Sequence, residues 1–572
     1  MTPEQLSAAI VAVLEGLVAD GSVTLPDGAP ESVTVERPRQ REHGDYATNV
    51  ALQLAKRAGA NPRELAALVA TRLAEVEGIG GVDVAGPGFL NISVAAAAQG
   101  AIAAQVVAAG TAYGTSDTFG GEKVNVEFIS ANPTGPLHLG HTRWAVVGDA
   151  LARVLEAAGA EVTREFYIND RGNQMDLFGA SIEAAALGQP IPADGYHGAY
   201  IADLAAEVVA QQPEILGLPE GDRRVAFREA GYALQLRTQQ EQLEGFRTHF
   251  DEWFSERSLH GSDDDSESSV AAGLEKLRGA GHLFDADGAL WMRTTDFGDD
   301  KDRVLIRSNG ELTYFASDTA YYVNKRERGF DRCIYLLGAD HHGYVGRLRA
   351  MAACAGDDPD RHIEVLIGQL VKIVRAGKEV RLSKRAGDIV TLGDLVEEIG
   401  VDALRYSLAR YPADSPLTLD IEQITKQSND NPVFYVQYAH ARVSSILRNA
   451  AELGIEPAGF ETGAGAPSPT TGGVVDVSLL AHEKEGELLR ALADFPRVVA
   501  TAAELREPHR VARYLEETAA AYHRFYDNCR VLPMGDEEAG DLHRARLLLV
   551  AATRTVLGNG LAMLGVSAPE RM

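Results

Sequence analysis

The sequence predicts a multidomain protein of mixed α/β and all-α character: a split, doubly wound, Rossmann-like domain, an α+β domain before it and a helical bundle after it. Three observations predict this. Strand-like and helical segments alternate in two separate stretches, the mark of parallel βαβ units. A mainly helical insertion, about residues 180–280, separates those stretches. Beyond about residue 430 the apolar period is almost wholly helical. At 572 residues the chain is too long for one core, and roughly four domains are expected. Its 45% hydrophobic and 24% charged residues describe an ordinary globular composition.

The elements follow in order. An amphipathic helix spans Leu6 to Leu17, a second runs from Ala47 to Lys56, and a turn at Gly86-Pro87-Gly88 leads into a strand from Phe89 to Val94. The Ala-rich run from Ser93 to Gly110 is interrupted by Gln99 and Gln105 and reads as a surface helix, not a membrane span. Lys123 to Ile129 is strand-like, Gly140 to Ala157 is helical, and Glu161 to Ile168 is strand-like again. The second βαβ half repeats the pattern: Arg332 to Leu337, Tyr344 to Ala355 and His362 to Ile367. A hairpin is expected from Val371 to Leu382, turning at Gly377-Lys378. The acidic run Asp263 to Glu267 reads as a solvated turn, and the Gly-, Pro- and Thr-rich stretch Gly454 to Gly473 as a flexible loop.

Composition excludes several classes. The three cysteines, Cys333, Cys354 and Cys529, form neither a disulfide framework nor a zinc motif, and they suit a reducing compartment. Met1 to Glu15 has no basic leader, so a cytoplasmic address is expected. The net charge of −28 opposes a polyanionic partner at long range. Physiological salt screens beyond about 8 Å, which leaves the decision to local patches.

Two motifs carry chemistry. Pro133-Thr134-Gly135-Pro136-Leu137-His138-Leu139-Gly140-His141 joins a strand to a helix. Helix N-termini beyond the carboxyl ends of parallel strands bind phosphate. His138 and His141 can donate to a nucleotide there, and Gly140 leaves room for a flat base. That arrangement serves nucleotidyl transfer, in which charge grows on the α-phosphate. Alone, the pattern also fits a helix-capping loop with solvated histidines. Some 240 residues on, Val380-Arg381-Leu382-Ser383-Lys384-Arg385-Ala386-Gly387 follows the hairpin. Lys384, Arg385 and Ser383 can meet the β- and γ-phosphates; alone, the run is also a basic surface turn.

Together with the upstream Val126-Glu127-Phe128-Ile129-Ser130-Ala131-Asn132, the first motif resembles the HIGH signature of class I aminoacyl-tRNA synthetases, specifically the arginyl enzymes. The second resembles their KMSKR loop. Arg381 stands in place of its first lysine and Leu382 in place of its methionine, while Lys384 is kept. No lysine stands at Thr134-Gly135, where arginyl enzymes that lose the loop carry a compensating one. The resemblance therefore gives the phosphate role to Lys384. It implies Mg²⁺·ATP as substrate with no protein-held metal, and L-arginine and tRNA-Arg as partners of a monomer away from membranes. Glu127 and Asp318 would take the guanidinium, with Tyr314 one helical turn before Asp318. Ser130 and Asn132 would hold the amino-acid end. His341, in Asp340-His341-His342-Gly343, stands where the family often has glutamine for the substrate amino group.

The string Asp402-Ala403-Leu404-Arg405 resembles the family's anticodon-binding bundle. Tyr435, Tyr438, Tyr522 and the terminal Met572 would face the anticodon, although paired aromatics at helical spacing are as often core. Asp45 and Tyr46, in His43-Gly44-Asp45-Tyr46, resemble the family's extra N-terminal domain that reads the tRNA corner. The implied domains are 1–110 (tRNA corner), 111–400 (catalysis), 401–430 (stem contact) and 431–572 (anticodon). A smaller HxGH nucleotidyltransferase would lack the bundle string. Cysteinyl or valyl enzymes would need zinc ligands or an editing domain. A non-catalytic tRNA-binding paralogue would have lost His138, Gly140, His141 or Lys384, and all are present.

Overall fold

The computed structural model describes residues 1–38, 43–260, 268–379, 390–455 and 475–572. The second-motif residues Ser383, Lys384 and Arg385, the acidic run 263–267 and nearly all of the expected flexible loop lie outside them.

The N-terminal part opens with α1 (Pro3–Ala19), started by a capping box between Thr2 and Gln5 and by Pro3 in its first turn. Its Leu6, Ile10, Leu14 and Leu17 recur at helical spacing and are buried. There follow β1 (Tyr46–Thr48), α2 (Val50–Ala58), α3 (Pro62–Leu73), β2 (Ile79–Ala85), β3 (Phe89–Val94) and α4 (Ala96–Ala109). The antiparallel order is β1-β3-β2. The helix expected from Ala47 therefore starts at Val50, because Tyr46 to Thr48 pair with β3 instead.

The central domain contains β4 (Lys123–Glu127), α5 (Leu139–Ala157), β5 (Glu161–Ile168), α6 (Asn173–Ala186), α7 (Ala199–Gln211), α8 (Glu220–Gly245), β6 (Glu252–Ser255), α9 (Arg257–His260) and α10 (Ser269–Gly279). It continues with β7 (Leu283–Ala286), β8 (Ala289–Met292), β9 (Arg303–Ile306), α11 (Tyr314–Glu327), β10 (Arg332–Gly338), α12 (Tyr344–Cys354) and β11 (Ile363–Gly368). The main sheet runs β11-β10-β4-β5-β6, parallel throughout. The two halves meet between β4 and β10, and that switch in strand order opens a crevice at their carboxyl ends. Two features within and after the mainly helical insertion are not among the sequence expectations. Residues 252–255 form a fifth parallel strand, and β7-β8-β9 form a separate antiparallel sheet. Four-residue strands are too short to show a period of their own. Helix α5 lies close on the main sheet: a Cβ on Gly368 would meet the Trp144 ring at 1.7 Å, and one on Gly148 would meet Phe128 at 2.3 Å.

Next come β12 (Val371–Arg375), β13 (Lys378–Glu379), α13 (Leu392–Ile399), α14 (Val401–Ala409), β14 (Leu417–Asp420) and α15 (Ile421–Ile424). The terminal bundle is α16 (Pro432–Glu452), α17 (Glu483–Ala493), α18 (Phe495–Glu504), α19 (His509–Asn528) and α20 (Asp541–Met563). The Asp402-to-Arg405 string is the joint between this bundle and the sheet domain. Arg405 is wholly buried, ion-pairs with Asp149 of α5, and donates to the carbonyls of Phe246 (2.9 Å), Arg247 (3.1 Å) and Leu564 (3.1 Å). Asp402 accepts from the Ser567 amide (3.0 Å) and Gln437 (2.9 Å). Among the described residues no helix is long and apolar enough to cross a membrane.

Candidate active site

The first motif stands at the carboxyl end of β4, beside the switch point. His138 is the N-cap of α5 and His141 its third residue. The Gly140 amide donates to His138 Nδ1 (3.2 Å), and the His138 amide donates to His141 Nδ1 (3.3 Å). With both Nδ1 atoms accepting, each neutral ring carries its proton on Nε2. Burial lowers the pKa of His138; burial and the neighbouring His138 push His141 down to about 3. The rings stack with centroids 3.7 Å apart. A Cβ on Gly140 would come within 3.1 Å of the His138 ring, so glycine here makes room for the imidazole itself. Two neutral N–H donors stand together at a helix N-terminus, where the helix dipole adds to their attraction for phosphate.

Residues not singled out from the sequence hold this motif. Gln239 of α8 donates to the carbonyls of Asn132 (3.1 Å) and Gly135 (2.9 Å), Gln235 donates to Gly135 (3.0 Å), and the Tyr200 hydroxyl donates to Thr134 (3.0 Å). The helical insertion thus clamps the Pro133–Pro136 turn. Arg143, buried on α5, donates to the carbonyls of Gln369 (2.7 Å), Pro412 (2.8 Å) and Ser415 (2.9 Å). Val390 and Leu392, just after the second motif, bond to Leu139 and Leu137, and Thr391 bridges His138. The chain leaving the second motif is thereby stitched onto the first.

Beneath the motif the backbone is strained. Ile129 and Ser130 have φ of 68° and 45°, a region that a β-branched residue rarely enters. Their turn brings Ser130 Oγ to Glu127 (3.1 Å) and to the Tyr167 amide (3.2 Å). Glu127, nominated for the guanidinium, already has a cation: Lys325 Nζ lies 2.6 Å from its Oε2. Asn132 is exposed on the rim.

On α11, Tyr314 is 75% exposed and Asp318 half-buried one turn later, as their spacing requires. No described group donates to or ion-pairs with Asp318. Burial and the neighbouring Glu127 and Glu256, opposed by Arg347, push its pKa up to about 7. A carboxylate pressed against two others draws in a cation. A cavity of about 310 Å³ adjoins it, lined by Arg171, Glu256, His260, Arg307, Tyr314 and Ser317 among others. At the end of β10, His341 is half-exposed, 3.4 Å from Asp340, with its ring edge-on to Tyr344.

The proposed tRNA contacts divide. Tyr438 is 36% exposed and stacks parallel to Phe434 (6.0 Å), with His523 beside it and beside Tyr435. His440 Nδ1 donates to the Pro569 carbonyl (2.9 Å) and Arg448 to that of Glu570 (3.0 Å), so the tail lies along α16 and leaves Met572 58% exposed. Tyr522 and Tyr46 are corrections. Tyr522 is fully buried in the bundle and Tyr46 is 2% exposed in the N-terminal core, so neither ring is open to a base. Asp45 too is engaged: it accepts from the Val94 amide (2.8 Å), Gln99 (2.9 Å) and Arg490 of α17 (2.8 Å), tying the N-terminal part to the bundle.

The likenesses to known proteins span the chain. The family model for the class I (R) tRNA synthetase catalytic domain matches residues 104–191 and 236–411; that for the arginyl tRNA synthetase N terminal domain matches 4–94, and that for the DALR anticodon binding domain matches 436–572. Arginine–tRNA ligases of Frankia alni and Renibacterium salmoninarum are 57% and 56% identical over 572 and 573 residues, with 100% of each chain covered. The arginyl-tRNA synthetase structure of Thermus thermophilus has a TM-score of 0.73 over 100% of both chains at 23% identity, a likeness of fold.

Proposed function

The chain belongs to the arginyl-tRNA synthetase family, and from that premise we propose how its residues activate L-arginine with ATP and pass it to the 2′-OH of the terminal adenosine of tRNA-Arg. The observation that carries the reading is the pair of neutral imidazoles at the N-terminus of α5; Asp318, with no hydrogen-bond donor or ion pair among the described residues, supports the arginine end. The arginine carboxylate attacks the α-phosphate in line and pyrophosphate leaves. His138 and His141 donate through Nε2–H to the phosphate oxygens as charge builds there. Neutral donors suit this role because they need not give up a proton during the step.

Asp318 and Glu127 take the guanidinium with Tyr314 over it, Glu127 being fixed by Lys325. Ser130, Asn132 and His341 orient the amino-acid end. Gly140, Ser383, Lys384 and Arg385 complete the nucleotide site, and Mg²⁺ arrives with ATP. The 2′-OH then attacks the adenylate carbonyl and AMP leaves. Residues 1–110 meet the tRNA corner, 111–400 hold the chemistry, 401–430 touch the stem, and 431–572 read the anticodon through Tyr435, Tyr438 and Met572. The protein acts as a cytoplasmic monomer, and activation requires bound tRNA.

The test is ATP–pyrophosphate exchange with each of the twenty amino acids, with and without tRNA, beside His138→Ala and Lys384→Ala. Exchange should occur with arginine alone and only when tRNA is added. Loss of one transition-state donor in His138→Ala should lower it by about 10²–10³-fold. Exchange with another amino acid would discard the Asp318 and Tyr314 assignments. No exchange from folded protein would favour a tRNA-binding paralogue.

A further inference from the structure

Tyr314, Asp318, Tyr321 and Lys325 follow one another on α11 at steps of four, three and four, so they share one helix face. That face lies over the carboxyl edge of the main sheet. At its far end Lys325 is wholly buried, with Nζ 2.6 Å from Glu127 Oε2 and over the rings of Tyr321 (4.4 Å) and Tyr335 (4.1 Å). A buried ammonium is costly unless paired, so its placement against Glu127 is specific. The next strand repeats the device. Glu165 of β5, fully buried, is held by Arg328 (2.8 and 2.9 Å), by Asn125 (2.8 Å) and by the Tyr321 hydroxyl.

We infer that Lys325 is a specificity-determining positioning residue of the arginine pocket: it neutralises and fixes Glu127, and so sets the charge around Asp318 to one that a single guanidinium balances. The inference rests on the arginine-pocket reading above. The groups that face Asp318 are Glu127 of β4, Tyr167 of β5, Glu256 before α9 and Arg347 of α12. His260 of α9 sits 3.7 Å from Glu256. Three carboxylates, Glu127, Glu256 and Asp318, thus meet two cations, Lys325 on Glu127 and Arg347 facing Asp318, and the one net negative charge that remains is met by one guanidinium. Arg347 is itself held in place, its guanidinium 4.2 Å above the Tyr344 ring.

Substitutions on either side of the pair should move the pocket in opposite directions. Arginine binding requires Asp318 ionised, so the pH below which binding weakens reports the charge around it. Lys325→Met strips Glu127 of its cation; Glu127 and Asp318 then compete for one proton, and the midpoint should rise by about one pH unit or more. The KM for arginine should rise by about tenfold, and that for ATP by no more than about twofold. Glu127→Gln removes a negative charge that faces Asp318 and should lower the midpoint. The double variant should return it towards the parent value. The experiment measures arginine KM and ATP KM against pH by pyrophosphate exchange, with circular dichroism to establish folding. If Lys325→Met does not fold, the downward shift in Glu127→Gln carries the test. Midpoints unmoved in the folded variants, with both KM values and kcat falling off together, would overturn the inference and leave Lys325 a structural residue. Absence of arginine-dependent exchange in the parent protein would instead overturn the pocket reading.

Discussion

Two helical stripes in this molecule each combine aromatic rings with a basic residue and end in opposite environments. Helix α11 carries Tyr314, Asp318, Tyr321 and Lys325; α16 carries Phe434, Tyr438 and Arg442 at four-residue steps. On α11 the stripe passes from a 75% exposed ring to a fully buried ammonium, because the edge of the main sheet covers its carboxyl-terminal half. On α16 the stripe meets side chains of α19. Tyr438 remains open, Arg442 lies 3.8 Å over the Tyr526 ring, and His523 fills the gap between Tyr435 and Tyr438. Periodicity assigns residues to a face, but the neighbour opposite decides whether that face is a charged pocket, a stacking platform or core. Tyr522, one residue before His523 on α19, points inward and is core.

The comparison can be broken at four points. The largest effect is expected at the buried end of the bundle stripe. Tyr522→Ala should cost about 3–5 kcal/mol of unfolding free energy, measured by denaturant titration, because it opens a cavity in a packed core. Its tRNA affinity, measured where the variant is still folded, should stay near that of the parent. A stable variant that binds tRNA poorly would place the ring in the interface after all.

Asp318→Asn should weaken arginine binding by about 1.5–3 kcal/mol, the range for a hydrogen bond to a charged group. The pH dependence sharpens the point. Burial and the neighbouring carboxylates push the Asp318 pKa up to about 7, and the group must be ionised to meet a guanidinium, so affinity should be flat above pH 7. Below it, affinity should fall by about tenfold per pH unit. Calorimetry on the parent and the Asn variant across that range checks this, and the variant should show no such slope. A slope retained in the variant would assign the proton to another group.

Tyr438→Ala should lose about 1–3 kcal/mol of tRNA affinity, the worth of one base stacked on an aromatic ring. Its unfolding free energy should change by no more than about 0.5 kcal/mol, as for other exposed positions. Filter binding beside thermal melts separates the two readings. The smallest effect is expected for Tyr314→Phe. It keeps the ring over the pocket and removes a hydroxyl, so arginine KM should change by about 1 kcal/mol or less with no change in melting.

Much of the site was legible because its parts are local. A strand, a Pro- and Gly-rich turn and a helix in that order place His138 and His141 at a helix N-terminus, and the structure adds which nitrogen bears the proton. Continuing the Tyr314–Asp318 spacing by three and four residues would have reached Lys325, so that signal was present but not followed. Other residues gave no signal. Gln235 and Gln239 read as ordinary polar positions on a long helix, yet both are buried against the turn before His138.

What the sequence by itself determined was the set of elements, their α/β order and the two motifs, since each depends on periodicity or turn chemistry within a few residues. Only the tertiary structure decided the pairings. Lys325 meets Glu127 across 198 positions, Arg405 meets Asp149 across 256, and Asp45 bonds a bundle helix 445 positions away. A charge in a sequence has many possible partners. Its partner is fixed when packing removes water from both groups, because an unpaired buried charge is the costlier alternative.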